Sequence, residues 1–423
     1  MKKILIITYY WPPSGGPGVQ RVLKLVKYLP EFGWQPIVLT VENGNYPSID
    51  NTLLKEIPIG CNVYKTKSFE PFELYKTFTG KKSNEKIPTF VLNKGENENF
   101  TEKVSKWLRA NIFVPDAKIG WINGIVRDGL RIVENEKPDL IFSSSPPHSL
   151  QIGAMRLAKK TGLKWIADFR DPWSNAFWQK DINRMSIAAK RDLKFEHRVL
   201  SAADHITTVS SSVVNLFKGI VNNNYSVLYN GFDESDFIQK KQKKDKFVIS
   251  YTGTLGQSQT IDNFIKAVSE LNYEIKQKIE INFYGSFHPS VKFLLDSVKE
   301  INIYPNVPHE KAVEIMLNSD ILLLVIPNSS NNKGIVTGKI FEYMATKNFI
   351  LGIGPDDGDA SEILHRTNTG KMFSYKHDLK PIITEQFYRW LNDEELIINQ
   401  IELSKFSRKK TAEQFAGIFE ELA

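Results

Sequence analysis

Short, almost continuous apolar runs alternate with longer amphipathic stretches along the whole chain. Residues 4–7 (ILII) and 321–326 (ILLLVI) are typical: each is too brief for a stable helix, and neither carries a polar face. Such runs fit strands buried on both sides of a parallel sheet. The pattern predicts strands at 3–9, 35–40, 62–66, 139–143, 164–169, 205–209 and 225–229, with helices at 19–31, 121–136, 149–161 and 187–201. After a lysine-rich stretch, 240–246, a second series begins. Its strands are predicted at 247–253, 279–285, 301–305, 321–327 and 349–353, and its helices at 261–271, 289–299, 309–318, 338–346 and 359–366. This alternation specifies βαβ units and parallel sheets with helices on both faces.

The chain has 423 residues, more than one hydrophobic core organises. The expected division is 1–230, a linker at 231–246, and a second domain at 247–403, with a polar insertion near 67–120 interrupting the first series. The fold class is therefore α/β, two doubly wound domains. Ligands of such sheets bind beyond the carboxyl ends of the strands. With two sheets, the expected site is a cleft across which the domains face each other.

Composition narrows the picture. Apolar residues make up 41% and charged residues 24%, as in ordinary globular proteins. A single cysteine, Cys61, excludes an intrachain disulfide framework and fits a reducing compartment. Lys2 and Lys3 before the first apolar run resemble a signal peptide, but the run stops at Trp11-Pro12-Pro13 without a small-residue cleavage pattern and reads as a first strand. No apolar run reaches membrane-spanning length. The net charge of +7 is uneven: residues 1–230 carry 32 Lys+Arg against 21 Asp+Glu, and residues 231–423 carry 23 against 27. A basic front half suits phosphates, an anionic polymer or an anionic membrane face.

Four motifs sit where a doubly wound fold puts its ligands. Gly15-Gly16-Pro17-Gly18 follows Tyr9-Tyr10-Trp11 at the end of the first strand. Gly16-x-Gly18 begins like a dinucleotide fingerprint, with Glu42 as its ribose acid, but Arg21 replaces the last glycine. Glycines there let backbone N–H groups approach an anion at a helix N-terminus. In Thr337-Gly338-Lys339-Ile340-Phe341-Glu342, Thr337 is a candidate helix cap and Gly338 opens the first turn. Lys339 can meet a phosphate beside the helix dipole, and Glu342 can accept from a ribose diol. Asp168-Phe169-Arg170-Asp171-Pro172 ends a third strand in charges, and His148 follows a fourth at Ser145-Pro146-Pro147. Asp357-Gly358-Asp359 imitates a metal site but lies in a strand-to-helix turn. Walker, zinc-finger and Gly-x-Ser-x-Gly patterns are absent.

Taken together, residues 9–16, 167–173, 228–233 and 338–345 resemble the GT-B fold glycosyltransferases of the large retaining "group 1" family, and more narrowly the bacterial members that build surface polysaccharides. The resemblance spans nearly the whole chain. It implies two Rossmann-like domains and a last helix, 404–423, that crosses back to the first. It implies a nucleotide-diphosphate-sugar donor held by Gly15, Gly16, Gly253, Thr254, Gly334, Ile335, Val336, Gly338, Lys339 and Glu342. Where the family often has a glutamate eight positions before Glu342, this chain has Gly334, and 253–259 lacks the family's Arg and Lys. Backbone N–H groups of 334–336, with Lys339 and Arg170, then supply the diphosphate contacts.

The candidate catalytic residues are Lys339, Arg170, Asp171 and His148, and the candidate acceptor residues are Trp11, Arg21 and Asp168. No metal or other cofactor is expected, because a lysine and helix dipoles can stabilise the departing diphosphate. The expected partners are the donor, a glycan or lipid-linked oligosaccharide acceptor and an anionic membrane surface, without nucleic acid. The expected location is the cytoplasm, peripheral to the inner membrane face. Three rival readings are a dinucleotide-dependent oxidoreductase, a non-catalytic glycan-assembly protein, and an epimerase or phosphorylase on the same fold.

Overall fold

The computed structural model describes residues 1–46, 48–68, 107–108, 110–176, 184–238, 244–330 and 332–423. Most of the insertion expected near 67–120, and residues 239–243 of the expected linker, lie outside the described residues. The chain divides into two compact units: unit 1 is 1–229 with 411–423, and unit 2 is 230–410.

Unit 1 is built on seven parallel strands, β1 (Lys2–Thr8), β2 (Trp34–Val41), β3 (Asn62–Thr66), β4 (Leu140–Ser145), β5 (Lys164–Phe169), β6 (His205–Thr208) and β7 (Tyr225–Val227), in the order β3-β2-β1-β4-β5-β6-β7. Its crossovers include α1 (Pro17–Tyr28), α2 (Ile122–Glu136), α3 (Ser149–Thr161), α4 (Ser186–Ala202) and α5 (Ser211–Lys218). The order reverses at β1, so the loop after β1 and the loop after β4 flank the crevice that doubly wound sheets use for ligands.

Unit 2 repeats the plan with six parallel strands: β8 (Phe247–Leu255), β9 (Ile279–Phe287), β10 (Ile301–Tyr304), β11 (Ile321–Val325), β12 (Phe349–Ile353) and β13 (Gly370–Phe373). They lie in the order β10-β9-β8-β11-β12-β13. Its helices are α6 (Asp262–Ser269), α7 (Tyr273–Lys278), α8 (Pro289–Asp296), α9 (His309–Leu317), α10 (Gly338–Thr346), α11 (Asp359–Thr367), α12 (Lys380–Leu391) and α13 (Gln400–Ser404). Here the crevice lies between the ends of β8 and β11.

The chain ends in α14 (Arg408–Leu422), and its residues from 411 onward belong to unit 1. Ala412, Phe415, Ala416 and Phe419 recur at helical spacing on one stripe. That stripe completes a core with residues of α1, β1 and β4; Phe415 meets Phe142 edge-on at 5.3 Å, and Phe419 meets Trp34 at 5.5 Å.

Candidate functional site

In unit 1 the ends of β1, β4 and β5 converge. Arg170 acts as a clamp there: Nε donates to Ser145 O at 3.1 Å, one terminal nitrogen to Pro146 O at 2.7 Å and the other to Gly18 O. Its guanidinium lies 5.7 Å from the Tyr10 ring centre. Burial pushes its pKa down, and the Asp171 charge works in the other direction. Asp171 is raised by the same burial, with Arg170 opposing. The loop after β4 and the first turn of α1 are thus tied to a single cation that keeps spare N–H groups.

His148 stacks on Trp173 at 4.8 Å with the rings 8° from parallel. Burial, with the neighbouring Arg170 charge, lowers its pKa to about 3. Its Nδ1 is buried without a hydrogen-bond partner. The expected catalytic histidine is therefore a neutral ring at working pH, suited to hydrogen bonding and unsuited to supplying charge to a phosphate.

The three candidate acceptor residues lie inside unit 1. Trp11 is 1% exposed and packs in the core shared with α1. Arg21 and Asp168 are spent on each other, with Nε–Oδ2 at 3.0 Å and the second nitrogen to Oδ1 at 2.7 Å. Asp168 also accepts from Ser144 and Thr207, each at 2.7 Å. Burial alone would raise its carboxyl, but the Arg21 charge and these hydrogen bonds hold it below the usual carboxylate range. Gly15 donates its N–H to Ser48 O at 2.9 Å, and a Cβ there would sit 2.7 Å from Ser48 Oγ. Gly16 takes φ 84° just before α1, a left-handed conformation that favours glycine. Beside this loop a depression of about 360 Å³ opens, lined by Pro12, Pro13, Glu42, Asn43, Tyr46 and Lys65 among others.

In unit 2 the N-terminus of α10 stands at the β8–β11 crevice. The first N–H groups of a helix have no intrahelical partner and favour an anion. A side chain added at Gly338 would meet nothing within 4 Å, so space lies open before them. Thr337 occupies the N-cap position but makes no capping bond, contrary to expectation; its Oγ1 is buried without a partner. Lys339 donates to Tyr251 Oη at 2.6 Å and lies 4.3 Å from that ring's centre. Burial lowers its pKa to about 8, opposed by the charge of Glu342.

Gly253 has φ 121°, and a Cβ there would meet Lys339 Nζ at 2.5 Å. The glycine thus leaves the seat that the lysine occupies. Tyr251 in turn donates to the backbone carbonyl of Thr254, at 2.7 Å. Glu342 is raised by burial; His309, Arg408 and Lys339 lower it and Asp236 raises it. Of the loop expected to offer backbone donors, Gly334 ends a short 3-10 turn and Ile335 spends its N–H on Asn332 O at 3.1 Å. Val336 N–H has no partner among the described residues. Asp357 pairs with Lys333, and Asp359 opens α11, so the D-x-D sequence serves a turn.

Tyr251, His309 and Arg408 escaped the reading of the sequence. Tyr251 lies inside an apolar strand, and Arg408 is 66 positions from Glu342. No local spacing marks either one; only the folded unit brings them to α10.

Residues 89–236 match the glycosyltransferase family 4 domain. No curated protein matches the chain by sequence. Among solved structures it is similar to sucrose-phosphate synthase from Thermosynechococcus elongatus, with 13% identity, a TM-score of 0.66, and 100% of this chain and 99% of that one covered. It is also similar to HepE from Anabaena in complex with UDP-glucose, with 12% identity, a TM-score of 0.61 and full coverage of both chains. WaaG, a glycosyltransferase involved in lipopolysaccharide biosynthesis, matches with 10% identity, a TM-score of 0.51, and 98% and 95% covered. At such identities the likeness shows a common fold, the GT-B fold with its two Rossmann-like domains. The match to the glycosyltransferase family 4 model over residues 89–236, together with that fold, supports a glycosyltransferase enzyme.

Proposed function

We propose that the protein transfers a sugar from a nucleotide-diphosphate-sugar to a saccharide acceptor, with the donor held at the N-terminus of α10. The observation that carries this is the open space before Gly338, bordered by the unpartnered Thr337 Oγ1 and by Lys339. The diphosphate takes the free helix N–H groups, the hydroxyl and the ammonium. As the glycosidic bond breaks, negative charge grows on the departing diphosphate, and Lys339 with the helix dipole stabilises it. Glu342 accepts from the ribose hydroxyls.

The acceptor belongs on unit 1, where the depression beside Tyr46 combines an aromatic ring, a carboxylate, an amide and an ammonium. These are the groups that hold sugar rings and hydroxyls. Retention of configuration, a lipid-linked acceptor and a role in surface polysaccharide are further parts of the proposal. They are supported by the resemblance in residues 338–345 and by the lipopolysaccharide role named for WaaG.

A panel of nucleotide-sugars, read by thermal shift and by release of nucleoside diphosphate, tests the reading. One member should stabilise the protein and be turned over. Glu342→Ala should weaken that donor at least tenfold. Lys339→Ala should lower turnover by about 10²–10³, the usual loss when one oxyanion-stabilising donor is removed. Undiminished donor affinity and turnover in both variants would reject the assignment.

A further inference from the structure

Residues 332–337 lead into α10, and their shape is set by a side chain from another part of unit 2. Tyr375, in the turn after β13, directs its hydroxyl at the end of β11. The hydroxyl donates to Pro327 O at 2.9 Å, with Ile326 O also in reach at 3.1 Å, and accepts from Asn332 Nδ2 at 2.9 Å. The Asn332 amide donates to Pro327 O as well, at 2.9 Å. The hydrogen of the hydroxyl and both hydrogens of the amide are thereby used. At its backbone, Asn332 O accepts from Ile335 N–H at 3.1 Å and closes the 3-10 turn Asn332–Gly334. Val336 N–H follows, without a partner among the described residues, and then Thr337 Oγ1, buried and unpartnered.

The base of this clasp is itself fixed. The Asn263 amide, on α6, donates to Ser374 O and His377 O, each at 3.3 Å, on either side of Tyr375. The Tyr375 ring packs against the core of unit 2. Burial raises the Tyr375 pKa, opposed by the Asn332 bond, so the hydroxyl keeps the proton it donates. Two other contacts restrain the stretch less. Lys333 pairs with Asp357, but the two side chains are 63% and 62% exposed, and water screens such a pair. Gly358 lies against the Lys333 backbone, where a Cβ would come 2.8 Å from Lys333 O. That contact limits approach without fixing a direction. The directional restraint is the part-buried clasp of Tyr375 and Asn332.

We propose that Tyr375 is a positioning residue for the nucleotide-sugar donor: through Asn332 it holds residues 332–337 in the form that presents Val336 N–H and Thr337 Oγ1 at the head of α10. This rests on the donor site proposed above and adds a residue that acts through the loop. Tyr375 lies 43 positions beyond Asn332, and no spacing in the sequence marks it. A stretch that is ordered before the donor arrives loses no affinity to its own ordering. A stretch freed from the clasp must be ordered by the donor itself. The same backbone groups face the donor in the ground state and in the transition state, so the loss falls on both alike. KM then rises while kcat is kept.

The test uses the full chain and a panel of UDP-, GDP-, ADP- and dTDP-linked hexoses; the member that the parent turns over is the probe. Tyr375→Phe keeps the ring in its packing and removes the hydroxyl alone. Its KM for the probe should rise about three- to tenfold, the usual effect of one lost hydrogen-bond partner. Its kcat should stay within about twofold, and its melting temperature should fall by no more than about 4 °C. Asn332→Ala should raise KM to a similar extent, and the double variant should be no worse than the weaker single one, because both break one clasp. Asp357→Asn, which breaks only the exposed pair, should leave KM within about twofold. Hydrogen exchange at Ile335 should be faster in Tyr375→Phe than in the parent. The clasp is overturned, with the donor site standing, if Tyr375→Phe keeps the KM of the parent. The same holds if the loss appears in kcat alone, or if the effects of the two single variants add in full. A parent that binds no member of the panel overturns the donor site and the clasp together.

Discussion

Two buried acids in unit 1 sit in opposite states. Asp168 is held ionised by Arg21, whereas Glu196 is pushed up to about 7, chiefly by burial, with the hydrogen bonds from Ser174 opposing and Asp192 adding to the rise. A raised carboxyl favours its protonated form in the folded protein. Its contribution to stability is therefore complete below the ordinary glutamate value, 4.5, and is lost as pH climbs through about 7. The shift corresponds to roughly 3–3.5 kcal/mol as an upper bound. Thermal melts between pH 5 and 8 should show falling stability, and Glu196→Gln should flatten that slope. Arg21→Ala leaves the buried Asp168 without its counter-ion, with only the Ser144 and Thr207 hydroxyls beside it. A loss of about 3–5 kcal/mol is expected in denaturant titration. Arg21 also lies 5.2 Å from the Phe415 ring centre, so the same change loosens α14.

Lys339 gives the third prediction at this scale. Its free amine, near 8, should be charged at neutral pH and lose that charge above pH 8. Nucleoside diphosphate affinity, measured by calorimetry, should be flat below that value and weaken above it. Lys339→Met should abolish the dependence. A flat profile in the parent protein would separate the lysine from the diphosphate.

Among the elements, β8 and β9 are shaped by a pair of glycines. Gly285 has φ 150°, and a Cβ on it would lie 1.7 Å from Gly253 O. The two strands pair in register there, Gly253 opposite Gly285. Gly285→Ala must displace the backbone that seats Lys339. A stability loss of about 1–3 kcal/mol is expected from forcing that backbone, together with a weaker donor. Gly338→Ala meets no protein atom, so its effect should appear in donor affinity with the melting temperature nearly unchanged. The contrast between two glycines of one unit separates a packing role from a ligand-facing one. At α14, Phe415→Ala removes a ring that is fully buried. A cost of about 3–5 kcal/mol is expected.

For the whole molecule, much of the plan was legible from the alternation of runs. Twelve of the thirteen strands among the described residues lie at the expected places, and the central ones are apolar because they are covered on both faces. The exception, β13, is a four-residue edge strand containing Gly370 and Lys371, too short and mixed to register as a run. The helices α5, α7, α12 and α13 were also absent from that reading; α7 and α13 have six and five residues, and too few turns for a period to show. The start of α10 was legible because glycine, lysine and glutamate at its head announce their chemistry within one turn.

What the sequence alone determined is the repeated strand–helix order, the breaks that end most strands in a glycine, a proline or a charge, and therefore which loops lie at the ligand ends of the sheets. Local pattern suffices there, because periodicity and backbone permissiveness act over a few residues. What only the tertiary structure decided is how the charged and aromatic residues at those ends are used. Arg21 faces Asp168, 147 positions away, and becomes part of the interior; Trp11 joins the core; His148 is kept neutral by burial and the Arg170 charge. Lys339 keeps its amine at an open helix end because Tyr251 and Gly253 make a seat for it. Whether a charge is spent inside or left for a ligand depends on its burial and its distant partners, and the folded chain alone sets both.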